Sequence, residues 1–279
     1  SMSIRALSRD FRCTEDTILN RLDRIARQGI ALHCSLRPKA DPTERLCFDG
    51  LVSFDRSQYH PNDIGISITA GSRFVLGLSH ASTRRSGRMT PYQKEQRNRI
   101  DKLAVYENHA IERSLTEHLD MIQLERPHSA IHPLILSTDE KHDYVRAVMR
   151  HALYREQDNE HRMIHQRVPS TYARTQANPL SASNYYDREV RKDQAHHRRE
   201  TVCFARDAAT GMSRLYVHMV YHNYEKHYRI NQPDRVTKTA AEVAGIPGTD
   251  IRLLRKQFFT QRAFLSLLKL KALDLKIWI

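Results

Sequence analysis

Three short stretches carry polar groups that ask for a chemical explanation. The first is LCFDGLVSF, residues 46–54, where Asp49 sits among apolar neighbours and directly before Gly50. Burying an unpaired carboxylate is costly. The second is ILSTDEKHDY, residues 135–144, where Asp139 closes an apolar run. The third is LSASNYYDREVRKDQAHHRRETVCF, residues 180–204. Read as one helix, it puts Asn184, Asp187 and Arg191 about one turn apart on one face and turns Glu189 away, as it does the later Glu200. Carboxylates that meet in one place hold Mg²⁺ or Mn²⁺, hard ions that want oxygen ligands. Two such ions about 3.5–4 Å apart clamp the attacking and leaving oxygens of a phosphodiester. The ion charge would also make a half-buried Asp49 tolerable. Each residue has a plainer reading too. Asp-Gly is a common turn pair, Asp139 can cap a helix starting at KHDYVRAV, and acids on a strongly charged helix are mostly solvated ion-pair partners.

The elements around these residues follow from pattern. RLCFDGLVSF, IGISITAG and RFVLGLSHAS read as three strands, the last two separated by the hairpin pair Gly71-Ser72. A basic stretch, TRRSGRMTPYQKEQRNR (83–99), leads into a long helical pattern to about residue 125. IHPLILSTDE reads as a fourth strand, HDYVRAVMRHALYRE as a helix and HRMIHQRV as a fifth strand. Residues 181–228 and most of 237–275 are helical in pattern. The order βββαβα is that of a ribonuclease-H-like mixed sheet flanked by helices. In such a sheet the first and fourth strands are neighbours, so Asp49 and Asp139 would meet and the helix from 181 would bring the third ligand.

Ahead of that core, SIRALSRDF places Ile4, Leu7 and Phe11 on one face, and a second helix starts after Thr14 with Ile18, Leu22 and Ile25 in period. Two helices about a tight turn form a helix-turn-helix, with Thr17, Asn20, Arg21 and Arg24 outward on the second. The expected organisation is therefore a helix-turn-helix over 1–29, a linker over 30–44 with two prolines, a ribonuclease-H-like domain over 45–230 and a helical extension over 231–279.

The chain of 279 residues carries 45 Lys+Arg against 32 Asp+Glu, a net charge of +13, which points to a polyanionic partner. Double-stranded DNA is the expected one. Four cysteines without CxxC spacing exclude a zinc ribbon or disulfide framework and read as single buried thiols in a reducing cytosol. No apolar run reaches membrane-spanning length, and the tail RAFLSLLKLKALDLKIWI is broken by charges, so it reads as a packing or partner helix. The opening Ser1-Met2 reads as a tag-cleavage scar.

The stretches FDGLVSF, RRSGRMTPYQKEQR, STDEKHDYVRA, NYYDREVRKDQAHHRRETVCFARD and YHNYEKHYRI resemble DDE-type bacterial insertion-sequence transposases, over roughly residues 3–245. The resemblance implies that Asp49 is the first catalytic aspartate and Asp139 the second. The family's glutamate, followed seven residues later by a basic residue, would fall at Asn184 with Arg191 as the base. The site is then Asp-Asp-Asn, or Asp187 supplies the charge, with Glu189 as a further alternative. Such relatives often carry an N-terminal zinc ribbon, which this sequence lacks. The resemblance implies a cytoplasmic, nucleoid-associated enzyme that cuts and joins DNA with two Mg²⁺ or Mn²⁺ ions, as a homodimer or larger assembly on element ends and target. Arg84, Arg85, Arg88, Lys94, Arg97 and Arg191 would hold phosphates. Two other readings share these residues: a DNA-binding regulator derived from a transposase but unable to cut, and a ribonuclease-H-like nuclease or resolvase.

Overall fold

A computed structural model describes residues 3–129, 131–158, 162–198, 203–228, 237–260 and 272–275. Strands β1 (Leu46–Phe54) and β2 (Pro61–Thr69) pair antiparallel without a break from Leu46↔Thr69 to Phe54↔Pro61. β3 (Val75–Leu78) and the two-residue β4 (Ala81–Ser82) both pair antiparallel with β2. β5 (Leu134–Asp139) runs parallel to β1, and β6 (Met163–Val168) parallel to β5. The order β3-β2-β1-β5-β6 makes an α/β fold with a mixed sheet of six strands, compatible with a ribonuclease-H-like fold. Every residue of β2 is buried, as in a strand covered on both faces.

Helices cover the two faces. On one side Phe48 meets His118 of α4 (Ala110–Glu125) and Tyr144 of α5 (His142–Arg150), with ring centroids 5.0 and 5.1 Å apart. On the other, Cys47 donates through Sγ to the carbonyl of Pro179 at 3.0 Å, just before α7 (Ser181–Asp193). The first two helices, α1 (Ile4–Asp10) and α2 (Glu15–Leu36), are joined by a turn at residues 11–14, and Thr14 caps α2 by accepting from the backbone of Thr17 at 3.2 Å. α2 packs on α8 (Ala208–Val220), so closely at Gly29 that a Cβ there would lie 2.6 Å from Val220.

The outer edge of β3 is closed by side chains rather than by another strand. Asn223 brackets Val75, its Oδ1 accepting from the backbone N–H at 3.0 Å and its Nδ2 donating to the carbonyl at 2.8 Å. His33 and Arg37 engage the carbonyl of Leu76, and the Tyr216 hydroxyl donates to that of Leu78. An edge treated in this way offers no ready template for pairing.

Several expectations need correction. The stretch expected as a linker over 30–44 begins with the last part of α2, which runs on to Leu36 and buries Ile30, Ala31, Leu32 and Leu36. It stops at a single 3-10 turn, Arg37–Lys39, because Pro38 cannot continue an α-helix. The helical pattern expected to run to residue 125 is two helices, α3 (Pro91–Asp101) and α4, broken over 102–109 where His109 takes φ 57°. The β2–β3 hairpin turns over 70–74 rather than at Gly71-Ser72 alone, with Arg73 at φ 55°. The Glu44 carboxylate organises this turn by accepting from the backbone of Gly71 at 2.6 Å, from the backbone of Ser72, and from the Ser72 hydroxyl at 2.7 Å. Of the four cysteines only Cys47 is fully buried, Cys13 and Cys34 are half-buried and Cys203 is exposed.

Helices α9 (Ala240–Val243) and α10 (Gly248–Thr260) follow. Most of the expected tail helix lies outside the described residues. Of it, α11 (Ala272–Leu275) buries Leu273 and Asp274. Asp274 and Glu125 together hold the buried guanidinium of Arg37, at 3.0 and 2.6 Å. Burial works against the Asp274 charge, but Arg37 outweighs it and keeps that carboxyl below its ordinary range. No helix among the described residues is long and apolar enough to cross a membrane.

Candidate functional site

Asp49 lies within β1, so Asp49-Gly50 is not a turn pair. The β1–β5 register joins Leu46↔Leu136 and Cys47↔Ser137. Carried two residues further along both strands, it sets Asp49 level with Asp139, the last residue of β5. Side chains alternate along a strand, so Asp49 shares the Cys47 face, over which α7 passes. Asp139 does not cap α5 directly. Lys141 is the N-cap residue, and its backbone N–H donates to Asp139 Oδ1 at 3.0 Å.

The carboxylates act on one another. The Asp49 carboxyl is raised to about 7, first by burial and then by the charge of Asp187, with smaller pushes from Asp139 and Asp63. The Gly50 N–H, donating to Asp49 Oδ1 at 2.8 Å, opposes the rise. Asp187 of α7 is thus the helical acid whose charge acts on Asp49. Glu189 is turned away, buried against Lys226 in an ion pair. Asn184 lines a separate cleft beside Arg73, Arg174 and Arg188. Glu200 lies outside the described residues.

A fourth acid, Asp63 of β2, pairs in register with Val52 and so lies on the Phe48–Gly50 face of the sheet, across β1 from Asp49. It is buried, its Oδ2 lies 2.7 Å from the Lys141 ammonium, and its Oδ1 has no hydrogen-bond partner. Gly50 makes room for it: a Cβ there would fall 2.5 Å from Asp63 Oδ1 and 2.7 Å from the Tyr144 hydroxyl. The Tyr144 phenol is pushed well up, by burial first and then by Asp63, Asp49 and Asp139. Asp63, Lys141 and Tyr144 were not singled out from the sequence. The signal available was Asn62-Asp63 opening an apolar strand, together with a glycine after Asp49.

The donor chemistry and the charge suit a divalent cation. Asp49 of β1, Asp139 of β5 and Asp187 of α7 offer hard oxygen donors, and the Asp49 carboxyl is driven toward protonation first by burial and then by its acidic neighbours. Among the described residues, however, no three His, Cys, Asp or Glu side chains are grouped so that they could hold a metal ion as they stand.

The expected DNA-contacting residues divide into free and engaged. Asn20, Arg21 and Arg24 are exposed on α2, while Thr17 is partly covered and shares a hydrogen bond with Thr14. Arg88 and Lys94 are exposed. Arg84 and Arg97 converge on Asp101, and Arg85 donates to the carbonyl of Gln58. Arg191 donates to the carbonyl of His197 at 3.1 Å and so helps fix the end of α7.

No protein-family model matches this chain, and neither does any curated protein or any solved structure.

Proposed function

We propose that the protein is a phosphodiester strand transferase of the DNA transposase type. The observation that supports this most is the placing of Asp49 and Asp139 level on neighbouring strands β1 and β5, with Asp187 of α7 acting on Asp49. Asp49, Asp139 and Asp187 would hold Mg²⁺ or Mn²⁺. When bound, the ions supply positive charge to the attacking and leaving oxygens of the phosphodiester. Asp187 is preferred to Asn184 because an amide oxygen can ligate but cannot neutralise, and to Glu189 because Lys226 already engages that carboxylate. Lys141 offsets the Asp63 charge and keeps the β5–α5 loop in place. Helices α1 and α2 act as a helix-turn-helix that presents Asn20, Arg21 and Arg24 to DNA, and the exposed Arg88 and Lys94 add phosphate contacts. Pairing of two element ends calls for a homodimer or larger assembly on DNA.

A second reading, a DNA-binding regulator that does not cut, draws on the lack of a ready three-ligand metal group among the described residues. The experiment is nicking of a duplex bearing terminal inverted repeats, in Mg²⁺ and in Mn²⁺. The transposase reading expects metal-dependent nicking that is lost in Asp49→Asn, Asp139→Asn and Asp187→Asn but kept in Glu189→Gln. Binding without nicking on any substrate favours the regulator. Cutting that ignores the repeats points to a ribonuclease-H-like nuclease. In any of these, Arg21→Ala/Arg24→Ala should weaken binding, with altered base preference if the pair reaches the major groove.

A further inference from the structure

A cleft of about 490 Å³ opens at the first two turns of α7, walled by Arg73, Arg174, Arg188, Tyr185 and Asn184. Hydroxyl and amide groups complete the wall, and no carboxylate lines it. Arg73 comes from the β2–β3 turn and Arg174 from the loop before α7, so three separate segments bring guanidinium groups to one place. Arg73 is held there at φ 55°, a backbone region unfavourable for a side-chain-bearing residue. Two contacts fix it: His222 Nε2 lies 2.9 Å from its carbonyl, and its guanidinium lies 4.2 Å from the Tyr185 ring centre. Arg188 approaches the same ring at 5.7 Å. Lys226 is also nearby, but Glu189 offsets it. Among the described residues Arg73, Arg174 and Arg188 make no ion pair.

Like charges gathered without a counter-charge repel one another. Forked donors in such a group match the oxygens of a phosphate. Asn184 on this wall lies three residues before Asp187, about 4.5 Å along the helix axis at 1.5 Å per residue. A phosphate in the cleft would therefore lie beside the carboxylate group.

We propose that this cleft seats a backbone phosphate of the nucleic-acid strand that passes over Asp49 and Asp187. The assignment rests on the strand-cutting reading above and gives Asn184 a different task, hydrogen bonding to the strand rather than ligation of metal. Arg174 and Arg188 are exposed, so replacing them should leave the fold intact.

The test uses the full chain and a fluorescent single-stranded oligonucleotide, followed by anisotropy across a salt series. Arg174→Ala/Arg188→Ala should weaken binding at least about tenfold. It should also make the salt slope shallower by about 0.7, the value for one phosphate contact on a single strand. Arg174→Ala alone should show part of the loss, and unfolding curves of both variants should overlay the wild type. Inorganic phosphate at low millimolar concentration should not displace the oligonucleotide. Unchanged affinity and slope in the double variant would remove the cleft from the strand path while leaving the carboxylate reading standing. Displacement by inorganic phosphate would make it a free-anion site and overturn the strand assignment. Absence of any nucleic-acid binding by the wild type would end both this proposal and the function it rests on.

Discussion

The ammonium of Lys141 lies 2.7 Å from Oδ2 of Asp63, tying the loop after β5 to strand β2 across the intervening β1. The pair lies beside Gly50 and Tyr144, and the ammonium offsets the Asp63 charge. Lys141→Met would leave Asp63 buried and uncompensated. Lys141 is about one-third exposed, so the expected loss is about 2 kcal/mol, below the range for a fully buried pair. Urea unfolding should register it, and Lys141→Met/Asp63→Asn should recover most of it. Equal stability of Lys141→Met and wild type would show that solvent screens the pair.

Asp49 gives the protein a stability that falls as pH rises. Its folded value near 7 stands above the ordinary 3.8, so between these limits the folded state holds a proton that the unfolded state has lost. Stability from this group declines through that window and the full cost is present above about pH 7. Asp49→Asn removes the cost. It should stabilise by about 4 kcal/mol at pH 8 and by almost nothing below pH 4. Mg²⁺ at pH 8 should raise the Tm of the wild type and leave that of Asp49→Asn unmoved. A pH-independent gain would mean that packing, not charge, is responsible.

Buried and half-buried histidines act in the opposite direction. His33, His165, His196 and His222 are each lowered to about 4, in every case first by burial. The unfolded chain takes up these protons near pH 6.5, so stability falls as pH drops from about 6.5 through 4. Four groups outweigh the single opposing contribution of Asp49. A Tm–pH series should decline steeply on the acid side, and His196→Gln should soften the decline. A flat profile between pH 6.5 and 4 would contradict this account.

The buried trio of Arg37, Glu125 and Asp274 should be intolerant of single changes. Arg37→Met strands two carboxylates in the interior and should cost about 3–5 kcal/mol in chemical unfolding. Replacing all three by apolar residues of similar size should restore much of that. A loss below about 1 kcal/mol would indicate that water reaches the acids.

The legible parts of this fold were those whose surroundings are one-sided or whose residues are β-branched. β1, β2 and β5 announce themselves as apolar runs, whereas β6, MIHQRV, carries three polar residues in its middle. The end of α2 was hidden because Gln28, Gly29, Ile30, Ala31, Leu32 and His33 are buried in succession. A helix enclosed on all sides loses the 3.6-residue period by which helices are read. Asp49 and Asp139 could be placed on neighbouring strands from sequence, since strand order sufficed. Asp63 could not, because its place depends on the space left by Gly50 on the adjoining strand. The turning away of Glu189 is a matter of helical phase and was legible, but its partner Lys226 was not.

Arg37 and Asp274 are 237 positions apart. A ribosome releases the arginine early and its second carboxylate only after nearly the whole described fold has emerged. Until then Arg37 has at most the carboxylate of Glu125, and the α2–α4 junction that it braces is half assembled. Emerging chains settle from the N-terminal side at the pace of translation, so a nascent chain halted before residue 274 would keep a charged guanidinium in search of water. Among the described residues, the last ion pair to form during synthesis is one of the most deeply enclosed.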